Sequence, residues 1–249
     1  MLSDARKDEI QTAYRAWLGS RGFKPRSGQR QMIADVARTI AGDPDRLCVV
    51  EAGTGTGKTA AYCLAVIPVA KAEGKKVVIA TATVALQEQV LHKDLPDLRE
   101  NTDLDFEFTL AKGRGRYVCL KRLDDQLSFD QKRELSLFEE PSDADVEIYE
   151  TLLRRFAEGS WDGELDSWDD GIEGRLWSSV TTDHRGCANN RCSYFRQCPF
   201  FKARGALDTA DVIVANHDLV LSDLNLGGGV VLPEPEETIF ILDEAHHLP

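Results

Sequence analysis

Apolar residues recur with a helical period in several segments of the chain and form short continuous runs between those segments. The helical period predicts helices over residues 3–18, 29–40, 59–72 and 84–92. The continuous runs predict buried strands at residues 47–51, 76–80, 106–110, 211–215 and 238–242. Helices that alternate with buried strands are typical of an α/β fold with a parallel sheet.

The pattern changes between residues 112 and 205. Helical stretches, cysteines, acidic residues and three tryptophans occur there, without a strong strand. Strands return only after this segment. The simplest interpretation is one α/β domain formed by residues 1–111 and 206–249, with a mostly helical domain inserted at residues 112–205.

A glycine-rich loop, EAGTGTGKT at residues 51–59, lies between a predicted strand and a predicted helix. Such a turn directs backbone N–H groups and a helix N-terminus at an anion. The loop residues predicted to surround the phosphates of ATP are Ala52, Gly53, Thr54, Gly55, Thr56 and Gly57. Lys58 would contact the outer phosphates, and the Thr59 hydroxyl would bind Mg²⁺. Ala52 stands where the consensus has glycine, and the competing interpretation is a glycine-rich turn without a ligand.

The second motif, ILDEAH, is acidic and occupies residues 241–246 at the end of a predicted strand. Asp243 would hold Mg²⁺ through water, and Glu244 would polarise the attacking water. An adjacent pair of carboxylates is a weak signal alone. It is a strong signal here, because the glycine-rich loop at residues 51–59, a P-loop, follows another strand of the same predicted sheet. Upstream, the Gln29 amide offers one donor and one acceptor, which match the adenine edge, and Arg26 lies beside it in the sequence.

Four cysteines of the inserted segment form a candidate ligand set. Cys119, Cys187, Cys192 and Cys198 are separated by 67, four and five residues. Cys198 precedes a proline, as in ferredoxin-type runs, so the set predicts a [4Fe–4S] cluster. Zinc is the main alternative, although its sites favour Cys-x-x-Cys pairs and the chain contains none. Cys48 and Cys63 are interpreted as core residues.

The charge of the chain is unevenly distributed. Its formal net charge is −12, and residues 139–173 alone hold 13 acidic residues against two arginines. The segment around Cys119 is instead basic, and its positive residues are Lys112, Arg114, Arg116, Lys121 and Arg122. This basic segment, together with Tyr117, predicts binding of single-stranded nucleic acid, and the acidic segment would repel it. Ordinary solvated surface is the alternative for both segments.

No run of about 18 apolar residues occurs, and the first ten residues are polar and amphipathic. Membrane insertion and secretion therefore lack a signal, and a cytoplasmic protein is expected. In that reducing compartment, cysteines are more often ligands or buried thiols than disulfides.

Together these motifs resemble a bacterial branch of the XPD-like iron–sulfur superfamily 2 helicases. The resemblance is strongest in PRSGQRQMIADV at 25–36, the P-loop, TVALQEQVLHKDLP at 83–96, GRGRYVC at 113–119, NRCSYFRQCPFF at 190–201, VANH at 214–217 and the terminal DEAH. It implies a RecA-like motor domain with an inserted iron–sulfur domain, and an ATP-driven 5′-to-3′ DNA helicase of repair and replication.

The resemblance also implies partners and further site residues. Single-stranded and forked DNA, D-loops, R-loops and DNA–RNA hybrids are the implied substrates of a monomeric enzyme. The residues implied to contact the nucleic-acid backbone after the second predicted strand are Thr81, Thr83, Gln87 and Gln89. The basic residues near Cys119 would line the entry path of the strand.

The sequence stops three residues after the DEAH motif. The family's arch region and second motor domain would follow, so the chain is expected to be an N-terminal portion that does not unwind DNA alone. Two other hypotheses remain: an RNA-remodelling ATPase with a zinc-bound insertion, and a non-catalytic module that binds DNA or a partner and senses iron or oxidants.

Overall fold

The structure is a computed structural model, and it describes residues 2–42, 46–53, 55–128 and 142–248. The chain divides into two compact units. The first unit comprises Met1–Ala111 and Leu207–Pro249, and the second comprises Lys112–Ala206.

The first unit contains a four-stranded parallel sheet. Its strands are β1 (Lys76–Thr81), β2 (Phe108–Leu110), β3 (Val212–Asn216) and β4 (Thr238–Leu242), in the order β2-β3-β1-β4. Val77 of β1 pairs with Val212 on one side and with Ile239 on the other. In a parallel sheet all carboxyl ends meet at one edge, so the residues after β1, β3 and β4 lie close together.

Helices flank this sheet. They are α1 (Asp4–Arg21), α2 (Ser27–Ile40), α3 (Lys58–Ala72), α4 (Val84–Gln89), α5 (Leu95–Asn101) and α10 (His217–Asn225). Every residue of α3 from Ala60 to Ala70 is buried, as expected for a helix that is apolar on all sides. A single predicted helix at 84–92 is instead α4, a π-helical turn at Val90–Asp94 and α5.

The strand predicted at residues 47–51 is absent, and this prediction was wrong. The segment has no strand pairing within the described residues, and Leu47 and Val49 are 74 % and 89 % exposed. Cys48 is exposed too, contrary to its assignment to the core, whereas Cys63 of α3 is fully buried as predicted. A short apolar run indicates a strand only when a neighbouring strand supplies hydrogen bonds and cover, and periodicity does not reveal that neighbour.

The second unit is mainly helical. Its helices are α6 (Leu120–Leu127), α7 (Asp143–Glu158), α8 (Gly174–Val180) and most of α9 (Pro199–Thr209). The three tryptophans lie in its core, where Trp161 packs edge-on against Trp168 and Trp177. The indole of Trp177 donates to the Gly115 carbonyl at 2.7 Å, so these rings also hold a loop in place.

Lys76, the first residue of β1, caps the end of α9. Its ammonium group donates to the carbonyls of Leu207, Asp208 and Ala210 at 2.7–2.9 Å. A cation at a helix C-terminus satisfies carbonyls that have no intrahelical partner and also interacts favourably with the helix dipole.

Replacing Lys76 with methionine is therefore expected to destabilise the chain by about 1–3 kcal/mol, because the carbonyls would lose a charged donor. Urea unfolding followed by circular dichroism measures this change. Lys75→Met is the matched control, since the Lys75 side chain has no hydrogen bond or ion pair among the described residues. Equal destabilisation by the two substitutions would contradict this role for Lys76.

Candidate functional site

The P-loop precedes α3, the most buried helix of the first unit. Gly57 has a φ of 77° and is the N-cap of α3, and no side chain caps the helix there. The first N–H groups of an α-helix lack intrahelical acceptors, so this end offers donors and a positive dipole to an anion. Thr54, one of the predicted phosphate contacts, lies outside the described residues.

Residues of α2 and its N-cap hold the P-loop. The Arg26 guanidinium donates to the Gly55 carbonyl at 2.7 Å, and the Gln29 amide donates to the Gly57 carbonyl at 3.2 Å. The fit is close, because a Cβ at Gly57 would lie 2.5 Å from Gln29 Nε2. Within the loop itself, the Thr56 hydroxyl donates a hydrogen bond to the Gly53 carbonyl at 2.8 Å.

Gln29 is not arranged as the adenine contact that the sequence suggested. Its side chain is only 6 % exposed, and its carbonyl oxygen accepts from the Tyr14 hydroxyl at 2.9 Å. Since the Gly57 carbonyl takes an amide proton, the amide already has both a donor and an acceptor partner within the protein. In this structure Gln29 supports the P-loop instead of presenting a free edge for a base.

The two predicted halves of the ATPase site come together. Lys58 Nζ lies 2.5 Å from Glu244 Oε1, although 186 positions separate the two residues in the sequence. Asp243 extends the sheet by one residue, since its N–H donates to the Ala80 carbonyl at 2.9 Å. The carboxylate of Asp243 accepts from the Tyr62 hydroxyl at 3.2 Å. A P-loop cation and two carboxylates thus share the carboxyl edge of the sheet.

Glu244 has an unusual backbone conformation and a perturbed acidity. Its φ of 53° lies in the left-handed region, which costs a non-glycine residue on the order of 1–2 kcal/mol. The hydrogen bond from Lys58 lowers the pKa of the Glu244 carboxyl, and the Lys58 charge adds to this effect. Burial is the largest cause that raises the pKa of the Tyr62 hydroxyl, so the hydroxyl stays a donor to Asp243.

Thr59, the predicted Mg²⁺ contact, lies beside a carboxylate that the sequence analysis did not select. Asp94, in the π-helical turn, has a raised pKa because of its partial burial, while hydrogen bonds from Gln89 and Thr59 act in the opposite direction. Gln89 Nε2 lies 3.2 Å from Asp94 Oδ2. π-Helical turns often occur at functional sites. The sequence did not predict this turn, so it gave no reason to select Asp94.

The residues predicted to contact nucleic acid after β1 differ in accessibility. Thr83 is exposed and caps α4, since its hydroxyl accepts from the Leu86 N–H at 3.2 Å, and Gln89 is exposed as well. Thr81 and Gln87 are buried. A direct side-chain contact with a nucleic-acid backbone is thus open to Thr83 and Gln89, and remains a prediction for them.

The four predicted cluster ligands line one cavity of the second unit. This cavity is partly open to solvent, and Cys119, Cys187, Cys192 and Cys198 all contribute to its lining. Cys119 immediately precedes α6, and Cys198 immediately precedes α9. None of the four is in a disulfide. The N-termini of α6 and α9 and the loop that contains Cys187 and Cys192 therefore place their thiols around the same cavity.

The surroundings of these thiols are partly polar and partly apolar. Burial raises the pKa of the Cys198 thiol, with a smaller contribution from Cys119 and Cys187, and backbone N–H groups of Phe201 and Phe200 counteract it. Such N–H groups are the usual donors to thiolate ligands.

Arg114 faces the same cavity, although the sequence suggested that it contacts DNA. Its guanidinium donates to the Cys187 sulfur at 2.8 Å and stacks over the rings of Phe200 and Phe201 at 4.1 and 5.2 Å. The Asn189 N–H also donates to the Cys187 sulfur, at 3.3 Å. In this structure the Arg114 charge is directed at a thiol.

The other predicted DNA contacts near Cys119 also have partners within the second unit. Lys112 forms ion pairs with Glu164 and Asp166, and Arg116 forms one with Asp166. Tyr117 is buried against the Phe200 ring. Acidic residues of the inserted segment thus neutralise part of the basic cluster. The sequence did not predict these ion pairs, because the partners are far apart along the chain. DNA binding by Lys112, Arg114, Arg116 and Tyr117 stays a prediction.

A site for a single metal ion is not preformed within the described residues, where no group of three or more His, Cys, Asp or Glu side chains is close enough to hold one. A four-iron cluster differs from a single ion, because its own iron and sulfide atoms occupy the space between the cysteine sulfurs. The four cysteines line the same cavity, and a four-iron cluster held by them stays a prediction.

Tyr62 and His217 are further site residues that the sequence analysis did not select. Tyr62 lies four positions after Lys58, one helical turn away on the same face of α3, and this spacing was the signal for it. His217 follows β3, and its Nε2 lies 2.9 Å from the Asp243 carbonyl oxygen. The sequence signal for His217 was its place in the VANH segment at 214–217, two residues after the predicted strand.

A parallel sheet whose carboxyl edge brings a P-loop lysine and an Asp-Glu pair together defines a helicase-type nucleotide-binding domain. Residues 26–124 match the DEAD/DEAH box helicase family, and residues 185–249 match the DEAD_2 family. Two segments of the chain thus match helicase family models, in agreement with the resemblance predicted from its motifs.

Its similar relatives are proteins named ATP-dependent DNA helicase DinG. Across the whole of this chain, the identity is 44 % with DinG of Photobacterium profundum, 42 % with DinG of Salmonella typhimurium and 40 % with DinG of Escherichia coli K12. The chain spans only 35–37 % of the length of these relatives. Among the described residues, no helix combines the length and apolar character needed to cross a membrane.

Proposed function

We propose that this chain is the nucleotide-binding and cysteine-bearing portion of an ATP-dependent DNA helicase that moves 5′ to 3′. The observation that carries the proposal is the contact between Lys58 and Glu244, which brings the P-loop and the DEAH motif to one edge of the sheet. The names of the similar relatives support DNA as the substrate.

The roles within the ATP site follow from the contacts. The uncapped N-terminus of α3 and Lys58 would bind the phosphates, and Lys58 would then exchange its Glu244 partner for the nucleotide. Thr59 and Asp243 supply the oxygen ligands that Mg²⁺ prefers, and the ion would neutralise charge that develops on the phosphates. Glu244, released from Lys58, would orient and polarise the attacking water.

Hydrolysis in this class needs more than these groups. Phosphoryl transfer is accelerated when a further cation stabilises the transition state, and a motor must close and open around the nucleotide. We propose that a second motor lobe supplies both functions, and that the present chain binds nucleotide but does not unwind DNA without it.

For the second unit we propose a [4Fe–4S] cluster held by Cys119, Cys187, Cys192 and Cys198. The shared cavity and the N–H donors around Cys187 and Cys198 support this assignment. When bound, the cluster would join chain segments far apart in the sequence and so stabilise the fold of the unit. Zinc is the alternative metal, but its structural sites favour Cys-x-x-Cys pairs, and the chain contains none.

The DNA strand is proposed to run over exposed groups. Thr83, Gln89 and the N-terminus of α4 are accessible at the carboxyl edge of the sheet and fit contacts with phosphates, which position a strand without reading its sequence. Forks, D-loops and R-loops are the proposed structures, because each offers a single strand beside a duplex. DNA–RNA hybrids are proposed as duplexes that the enzyme would open.

The proposed polarity and substrate are tested with the intact enzyme that contains this chain. Duplexes with either a 5′ or a 3′ single-stranded tail, made of DNA or RNA, are mixed with ATP and Mg²⁺, and strand release is followed by gel electrophoresis. We expect release of the 5′-tailed DNA duplex alone. Preferential release of 3′-tailed DNA would contradict the polarity, and preferential release of RNA duplexes would favour an RNA-remodelling ATPase.

A further inference from the structure

His217 is a buried histidine that contacts the DEAH segment from another strand. It is 5 % exposed and begins α10, directly after β3. Its Nε2 lies 2.9 Å from the Asp243 backbone oxygen. A carbonyl oxygen only accepts hydrogen bonds, so this geometry requires the proton to be on Nε2.

The second nitrogen of the ring is left without a partner. In the neutral ring with its proton on Nε2, Nδ1 is an acceptor, and this buried atom has no hydrogen-bond partner among the described residues. Buried polar atoms are rarely left unsatisfied, and exceptions often have a functional cause. An apolar side chain at position 217 would avoid this penalty. The hydrogen bond from Nε2 to the Asp243 carbonyl therefore explains why a histidine is found there.

His217 holds the peptide at which the chain turns into the ATP site. On one side of this peptide, Asp243 is still part of the sheet through its bond to Ala80. On the other side, Glu244 adopts the left-handed conformation and reaches Lys58. The carbonyl between them accepts from His217.

The contact crosses the end of the sheet. β3 and β4 are not neighbours, because β1 lies between them. His217 therefore reaches from the end of β3 past the end of β1 to the residue that follows β4. The carboxylate of Asp243 accepts from the Glu244 N–H at 3.1 Å and from the Tyr62 hydroxyl of α3 at 3.2 Å.

We propose that His217 is a positioning residue for Mg·ATP. By fixing the Asp243–Glu244 peptide, it sets the direction of the Asp243 carboxylate toward Mg²⁺ and of the Glu244 carboxylate toward the attacking water. This inference rests on the proposed ATPase function. It predicts that loss of the Nε2 donor weakens the part of nucleotide binding that depends on Mg²⁺ and leaves the part that the P-loop provides.

The test measures binding of a non-hydrolysable ATP analogue by calorimetry, once with Mg²⁺ and once with EDTA. In His217→Phe, which keeps a ring but removes the donor, we expect the affinity gained from Mg²⁺ to fall about tenfold, the usual cost of losing a group that orients a metal ligand. The affinity in EDTA should not change. His217→Gln, which returns an N–H at similar reach, should restore the gain.

His92→Gln is the matched control, because His92 is an exposed histidine on another helical segment of the same unit. An unchanged Mg²⁺ gain in His217→Phe would overturn the inference. If the wild-type chain bound no nucleotide under either condition, the proposed function itself would fail, so the two failures are distinguishable.

A measurement on the wild-type chain covers the case in which His217→Phe does not fold. Nitrogen-15 NMR distinguishes the two histidine tautomers, and the inference requires the proton of His217 on Nε2 with slow exchange against solvent. A neutral ring protonated on Nδ1 would overturn it, because Nε2 could then not donate to the Asp243 carbonyl.

Discussion

Replacing Lys58 with alanine is expected to weaken ATP binding roughly 10- to 100-fold, because the phosphates would lose a charge-assisted donor at the mouth of α3. Calorimetric titration of the chain with ATP and Mg²⁺ measures the change. Lys71→Ala is the matched control, since Lys71 lies on the same helix but contacts Asp105. In the intact enzyme, DNA-stimulated hydrolysis and unwinding should collapse together.

The same substitution should alter the acid response of the chain. Lys58 lowers the pKa of Glu244 in the folded state, so the pair stabilises the fold at pH values above the ordinary pKa of a glutamate. This contribution disappears as the pH falls through the lowered pKa. Unfolding measured between pH 7 and the acid range should therefore show a shallower loss in Lys58→Ala. Undiminished ATP binding and hydrolysis by that variant would show that the site is assigned wrongly.

Removing one pocket cysteine is expected to have the second large effect. The wild-type chain, prepared without oxygen, should contain about four iron and four sulfide per molecule and absorb visible light. Cys192→Ala should lose most of both, and the second unit should unfold at a lower temperature, because ligand binding and folding are coupled. Elemental and sulfide analysis with thermal unfolding measures these changes.

Cys48→Ala is the control for the cysteine substitution, because Cys48 is exposed and does not line the cavity. If the wild-type chain contained one zinc ion per molecule and no iron, the four cysteines would form a zinc site, and the proposed cluster would be wrong. Full iron and sulfide in Cys192→Ala would exclude this cysteine from the ligand set.

The sequence predicted those parts of the fold that depend on local patterns. β4 lies at the predicted residues, and α3 begins one residue before its predicted start, because an uninterrupted apolar run and a glycine loop define these elements locally. Residues 47–51 carry the same kind of apolar run, yet they are exposed. The difference depends on whether a neighbouring strand is available, and that is a property of the tertiary structure.

Polar site residues were harder to predict for the same reason. Gln29 was predicted to contact adenine and Arg114 to contact DNA, but in the structure they contact Tyr14 and Cys187, which lie 15 and 73 positions away in the sequence. The role of a polar side chain depends on which donors and acceptors the fold brings to it. Motif spacing identifies the residue, and only the folded chain identifies its partner.

The distribution of tryptophan gives the chain built-in optical reporters. Three of its four indoles, Trp161, Trp168 and Trp177, form the core of the second unit, whereas Trp17 lies in the first unit beside Gly57. Intrinsic emission should therefore report mainly on the cysteine-bearing unit, where a visible chromophore would quench it. With those three indoles replaced, the remaining signal from Trp17 would follow occupancy of the P-loop without any added dye.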